Sequence, residues 1–363
     1  MEISEDNFFM KEALRLAGKG LSWTSPHPMV GSVIVKNSEI IARGFHSKFG
    51  TDHAEMQTLK NSKEDLRGTT MYVTLEPCHL PYDLHGPRLA CTEIIKIAGI
   101  RTVHIAMLDS NPEVNGKGRM VLEKAGIKTT LGIMQKEALI LNETYHHFMN
   151  MKRPFVGVTF SSSLDGKIAT RTGQSKWISN EKSRKFARKL RCQYQAVLVG
   201  INTILKDNPH LGARIKGKKD PLRIILDSTL KIPVNSKVLR DKNVIIATTE
   251  KANKSKKISL TGRGIEILNY DNQSNPIANL LEELRKRKII SLLVEGGGKI
   301  LGSFADEKLI DKVYSFHSPL LIGGEKGISV LRGRGVKKIA DAIRLKNNSF
   351  KKFDDDILTI GYS

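Results

Sequence analysis

Residues 50–59 read GTDHAEMQTL and place His53 and Glu55 on either side of one alanine, where an apolar helical pattern begins. Two readings compete for this pair. An acidic residue in a first helical turn complements the helix dipole and need carry no chemistry. The same two side chains can also mark a reaction centre, and the ten residues alone do not separate the alternatives.

The stretch downstream does. Residues 75–91 read LEPCHLPYDLHGPRLAC: a strand-like segment, TTMYVTL, runs into Glu76-Pro77-Cys78, and Cys91 opens the next helical pattern. One histidine and two cysteines supply the three donors of a catalytic zinc while leaving a position for water. The cysteines would bind as thiolates, their protons displaced by the metal. An H-x-E segment followed by P-C is the arrangement of zinc deaminases. Zinc lowers the pKa of water from about 15.7 to about 7. Glu55, two residues past His53, does not share a helix side with it. It is therefore expected to carry a proton to departing ammonia rather than to bind metal. A structural zinc, with His79 or His85 as fourth ligand, is the alternative.

The 363 residues suggest two domains. A 40% hydrophobic and 26% charged composition is that of a soluble globular protein. The opening MEISEDNFFMKEALRLAGKG is acidic and then amphipathic, unlike a signal peptide, and no run approaches the roughly 20 apolar residues of a membrane span. Three cysteines, Cys78, Cys91 and Cys192, argue against a disulfide framework and for a cytoplasmic protein. The net charge of +22 admits nucleic acid, an acidic membrane or phosphorylated small molecules as partners. The basic residues are dispersed, however, and the densest groups, KGKK at 216–219 and KANKSKK at 251–257, contain no aromatic residue for base stacking. A solvated lysine-rich surface follows, and neither nucleic acid nor a membrane is expected as partner; a homo-oligomer is expected.

The first 150 residues alternate between helical and strand periods, which implies an α/β layered domain with much of its sheet parallel. Helical spacing covers 5–18, and two strands, MVGSVIVK and EIIARG, meet at an Asn37-Ser38 turn. Around NMKRPFVGV the pattern resets and a second α/β domain begins, so the chain divides into 1–150 and 151–363. Its strands are PFVGVTFSS, QAVLVG, LRIILD, NVIIAT, IISLLVEGG and KVYSFHSP, with helices near 180–191 and 276–288. In VEGGGKILGS a strand meets glycines and then a helix, which lets backbone N–H groups approach a phosphate.

TSPHPMVGSVIVK, DHAEMQTL, VTLEPC, IIKIAGI and DSNPEVNGKG follow in order, and then SLDGKIAT, GQSKWIS, LRCQYQAVLVG, NTILKDNPHLGAR, PLRIILDS, VEGGG and HSPLLIGG. In these motifs the chain resembles the bifunctional riboflavin-biosynthesis deaminase/reductase family over nearly its whole length. The resemblance implies a cytidine-deaminase-like three-layer domain followed by a dihydrofolate-reductase-like α/β domain. It implies zinc-dependent deamination of 2,5-diamino-6-ribosylamino-4-pyrimidinone 5′-phosphate, then NADPH-dependent reduction of the ribosyl group to ribityl. Zinc would sit on His53, Cys78 and Cys91, with Glu55 as proton shuttle. Ser175, Arg191, Leu211, Arg214 and Glu295 match substrate positions. Ser161, Trp177, Thr203, Asp207, Ser228, Gly297 and Gly298 match NADPH positions. The arginines suit a ribose phosphate because a guanidinium can bind it bidentately.

The chain departs from that pattern in its pockets. His27 stands where the family has asparagine, Ser32 where a cysteine is common, and the loop between the zinc cysteines is four residues longer. His85 and Arg88 are its candidate replacement groups. Thr159 takes the place of a lysine and Gln195 that of an aspartate, which predicts weaker binding or slower reduction unless another group compensates. The rival readings are a relative with another aminopyrimidine substrate or one inactive half, and a nucleic-acid deaminase.

Overall fold

Ser4 accepts the Asn7 N–H at 3.4 Å and starts helix α1 (Glu5–Ala17), whose Phe9, Met10, Ala13, Leu16 and Ala17 form the buried stripe. The computed structural model describes residues 4–83 and 86–363. It divides into two compact units, Met1–Lys152 and Arg153–Ser363.

In the first unit, β1 (Gly31–Lys36) and β2 (Glu39–Phe45) form an antiparallel hairpin. Asn37 and Ser38 both adopt positive φ (49° and 62°), the conformation a two-residue hairpin turn requires. β3 (Thr70–Val73), β4 (Thr102–Ile105) and β5 (Lys128–Leu131) complete a sheet of order β2-β1-β3-β4-β5, with β3, β4 and β5 parallel. Adjacent residues of β1 show the layering. A Cβ on Gly31 would lie 2.1 Å from the Ala13 carbonyl oxygen of α1. The neighbouring Ser32 hydroxyl instead bonds Thr58, in α2 (Ala54–Lys60). Successive strand residues point to opposite faces, so helices cover both sides of the sheet and the unit has three layers.

Helices α3 (Cys91–Ile97) and α4 (Lys117–Lys124) follow β3 and β4. The unit closes with two helices, α5 (Gln135–Leu141) and α6 (Glu143–Met151), separated at Asn142. Asn142 is buried, accepts the Met29 N–H at 2.8 Å and donates to the Met29 carbonyl at 2.9 Å. The break thus pins the loop that carries His27. Asn142→Ala leaves both Met29 groups without these partners and is expected to cost about 2–3 kcal/mol, measured by chemical denaturation followed through this unit.

The second unit is built on nine strands: β6 (Phe155–Ser163), β7 (Ala196–Gly200), β8 (Leu222–Leu226), β9 (Val244–Thr248), β10 (Glu266–Asn269), β11 (Ser291–Val294), β12 (Lys312–Ser318), β13 (Lys346–Phe353) and β14 (Asp356–Tyr362). Their order is β10-β9-β8-β7-β11-β6-β12-β14-β13. The first seven in that order are parallel, and β14 and β13 add antiparallel. β7, β9 and β11 are buried throughout, as strands of a covered parallel sheet should be. Helices α7 (Glu181–Leu190), α8 (Ile201–Asp207), α9 (Lys254–Gly262), α10 (Pro276–Lys286) and α11 (Gly298–Asp306) connect the strands. No described helix is long and apolar enough to cross a membrane.

Candidate active sites

His53 is the N-cap of α2 in extended conformation, yet its side chain accepts no helix N–H. Glu55 lies in the first turn and is 3% exposed. An acid serving only the helix dipole would stay in water, so capping does not explain either side chain. Cys91 opens α3 and is fully buried, with its Sγ 3.4 Å from His53 Nδ1. Single donor atoms of His53, Glu55 and Cys91 all lie within 4.8 Å of one another. Cys78 is half-buried, accepts the Leu80 N–H on sulfur at 3.4 Å, and is not one of that trio. Its backbone carbonyl takes the Thr92 N–H at 3.2 Å, so the two cysteine segments meet at the start of α3.

Burial pushes the Glu55 carboxyl up and the Cys91 thiol well up. Arg88 Nη1, 3.7 Å from Cys91 Sγ, supplies a cation that favours the thiolate. Imidazole nitrogen and buried thiol sulfur are the donor types zinc prefers, and the set fits that ion. His79 is not among the gathered donors of the described residues, and His85 lies outside those residues. Around the cluster, the His27 ring stacks on His46 at 5.5 Å and meets Phe49 edge-on at 4.7 Å and His53 at 6.4 Å. The departure at position 27 therefore falls on the wall of this site.

Sequence reasoning passed over the support behind Cys78. Glu76 is 2% exposed and accepts the backbone N–H groups of Asp109 (3.2 Å), Gly116 (2.8 Å) and Arg119 (2.9 Å). The signal available was an acid at the end of an apolar strand. Beside it, α4 packs so closely that a Cβ on Gly118 would come 2.0 Å from the Pro77 carbonyl oxygen. Alanine normally favours a helix interior over glycine by about 1 kcal/mol. Here Gly118→Ala must displace backbone next to Cys78. We expect a destabilisation of at least about 2 kcal/mol and reduced zinc content, read by thermal unfolding and metal analysis.

In the second unit the residues assigned to NADPH gather at the carboxyl ends of parallel strands, where open α/β sheets bind ligands. Ser161 is near the end of β6, Thr203 is in α8 after β7, and Ser228 follows β8. Glu295 follows β11, Gly297 caps α11 and Gly298 begins it. That helix start offers backbone N–H groups for a pyrophosphate, so the residues fit a dinucleotide. Asp207 pairs with Lys176 at 2.7 Å. Trp177 is 67% exposed, with the Arg184 guanidinium 4.3 Å from its ring centroid, and Ser175 precedes it in the same loop.

Arg191 and Glu295 form a bidentate pair, Nε to Oε1 at 2.7 Å and Nη2 to Oε2 at 2.6 Å, while Nη1 donates to the Gly212 carbonyl at 2.9 Å. The Arg191 fork is thus committed within the chain, unlike the phosphate clamp read from sequence. Arg214 is exposed. Leu211 is 3% exposed among apolar side chains that include Ile204 and Leu230, so only its backbone can face a ligand. Gln195 departs from the family pattern without reaching the carboxyl edge. It precedes β7 at the opposite end, accepts the Ile290 N–H at 2.9 Å and donates to the Lys288 carbonyl at 3.2 Å. Thr159 is buried within β6 opposite Tyr314.

Residues 3–107 match the family described as "Cytidine and deoxycytidylate deaminase zinc-binding region", and residues 154–359 match "RibD C-terminal domain". The chain belongs to the RibD family. It is 38% identical to riboflavin biosynthesis protein RibD of Aquifex aeolicus, over 97% of both chains. It is 37% identical to the RibD of Actinobacillus pleuropneumoniae, over 96% of this chain and 93% of that one. The RibD structure from Acinetobacter baumannii superposes with a TM-score of 0.88 at 32% identity, covering 99% of each chain. A deaminase/reductase structure from Thermotoga maritima gives 0.86 at 36% identity, covering 99% of this chain and 98% of that one. As a member of this family the protein is a bifunctional enzyme of riboflavin biosynthesis, a zinc-dependent deaminase and an NADPH-dependent reductase.

Proposed function

We propose that deamination of the diaminopyrimidinone ribosyl phosphate belongs to residues 1–150 and ribosyl reduction to residues 151–363. His53, Cys78 and Cys91 would hold zinc, which would supply an acidified water at neutral pH. Glu55 would carry a proton from that water to the departing ammonia. The observation that carries this reading is the buried Glu55 beside Cys91 and an N-cap histidine whose side chain caps nothing. In the other unit Ser161, Trp177, Thr203, Asp207, Ser228, Gly297 and Gly298 would hold NADPH, which would supply the hydride. Ser175, Arg191, Leu211, Arg214 and Glu295 face the substrate, with Arg214 on the phosphate and the Arg191–Glu295 pair fixing the wall of the pocket.

The enzyme is cytoplasmic, a reading supported by three free cysteines and a phosphorylated substrate. It binds neither nucleic acid nor membrane, and it is a homo-oligomer. The oligomer is supported by exposed Leu331, Val336, Ile339, Ile343, Phe350 and Ile357, which crowd one stretch of chain.

Metal content tests the ligand set. His53→Ala, Cys78→Ala and Cys91→Ala should each lose the one zinc per chain that the parent carries, while Cys192→Ala keeps it. Full zinc in Cys78→Ala would overturn the assignment and leave His53, Glu55 and Cys91 as the ligands.

A further inference from the structure

The loop between α8 and β8 is held by more than its turn residues. Leu211 and Arg214 both adopt left-handed backbone, φ 64° and 54°, which non-glycine residues rarely do without support. From Gly212 to Arg214, three consecutive N–H groups find side-chain acceptors. Gly212 N–H donates to His210 Nδ1 at 3.2 Å. Ala213 and Arg214 N–H both donate to Asp220 Oδ1, at 2.8 and 3.2 Å. The Gly212 carbonyl takes Arg191 Nη1 at 2.9 Å. A Cβ on Gly212 would lie 2.4 Å from Asp220 Oδ2 and 2.7 Å from His210 Nδ1, so the carboxylate sits directly against this backbone. Gly212 is therefore gripped from two sides, by Asp220 and by the guanidinium that also holds Glu295.

We propose that Asp220 is a positioning residue for the reduction. Its carboxylate fixes the backbone of residues 211–214 and so aims the Arg214 guanidinium at the substrate phosphate. The proposal rests on the assignment of Arg214 to that phosphate made above. Asp220 itself touches no substrate; its effect passes through two backbone N–H groups. An ionised acceptor holds those groups more firmly than a neutral one. Without it, the strained conformation at Arg214 loses its main support, and the guanidinium samples orientations that miss the phosphate. Ground-state binding then weakens while hydride transfer in the productive complex is unchanged.

The test uses the full-length enzyme and follows NADPH oxidation with the aminouracil ribosyl phosphate, with ammonia release and thermal unfolding as folding controls. Asp220→Ala should raise KM for that substrate about tenfold with kcat within about twofold, the signature of lost binding shared by ground and transition states. KM for NADPH should not move. Asp220→Asn keeps one acceptor oxygen and should stay within about threefold of the parent. Arg214→Ala should raise the same KM, and in the double variant the two effects should not multiply, because both act through one guanidinium. An unchanged substrate KM in Asp220→Ala overturns the proposal. So do a parallel rise in KM for NADPH, which would indicate general damage, and full multiplication of the two effects. An unchanged KM in Arg214→Ala refutes the phosphate assignment itself, and the positioning role falls with it.

Discussion

Glu55→Gln is expected to slow ammonia release about a thousandfold, the middle of the range for loss of a positioned general acid–base group. Glutamine has nearly the same shape, so α2 and the packing around residue 55 persist while the exchangeable carboxyl proton is gone. The buried setting sharpens the effect. Glu55 is 3% exposed, and burial already holds the carboxyl above its ordinary range. Two readouts separate the role from its rival. Glu55 is one of the three donors gathered within 4.8 Å, so ligation is the alternative. A proton carrier predicts unchanged zinc per chain in the variant, and a ligand predicts zinc loss. NADPH oxidation with the aminouracil intermediate should continue at the parental rate, because that step belongs to the other unit.

Arg191→Ala should be the most damaging single change in the reductase unit. The pair with Glu295 is mostly buried, with side-chain exposures of 16% and 18%, and both contacts are short. Removing one partner of such a pair leaves the other charge poorly solvated and costs about 3 kcal/mol or more. The Gly212 carbonyl also loses its donor, which loosens the loop around residues 211–214. The unfolding midpoint of this unit should fall by roughly 6–12 °C, at about 2–4 °C per kcal/mol for a unit of this size. NADPH oxidation should fall with it. Replacing both partners with apolar residues, Arg191→Met with Glu295→Leu, should restore most of the stability. It should not restore turnover, since the polar wall of the pocket is gone. Recovery of both would mean that the pair serves the fold alone.

Much of the deaminase unit is legible in the sequence because its signals are local. Helical spacing over residues 5–18, a turn at Asn37-Ser38 and a histidine at a helix start each depend on a few neighbouring residues. The grouping of His53 with Cys91 is legible because metal ligands are drawn from few residue types. What escapes is long-range. Nothing local shows that Asn142 breaks the last helix to hold Met29, more than a hundred residues away. Glu76 looks like an ordinary strand-end acid until α4 returns beside it. The Arg191 fork reads as a phosphate clamp because its partner, Glu295, lies over a hundred residues downstream. The C-terminal hairpin of β13 and β14 also escapes. β13 is an exposed, lysine-bearing edge strand without apolar alternation, a composition that protects an edge and hides the strand signal. Strand β10 and helices α8 and α9 are too short or too weakly periodic to stand out.

The most direct measurement is the stoichiometry of the two steps in one tube. Purified, zinc-loaded protein is given 2,5-diamino-6-ribosylamino-4-pyrimidinone 5′-phosphate and excess NADPH, and both ammonia and NADPH are followed to completion. One ammonia should be released and one NADPH oxidised per substrate, with ammonia appearing first. Ammonia without NADPH oxidation would contradict the reductase assignment and point to Thr159 as the site of a lost function. No ammonia from zinc-loaded protein would contradict deamination of this substrate at the His53–Glu55–Cys91 centre.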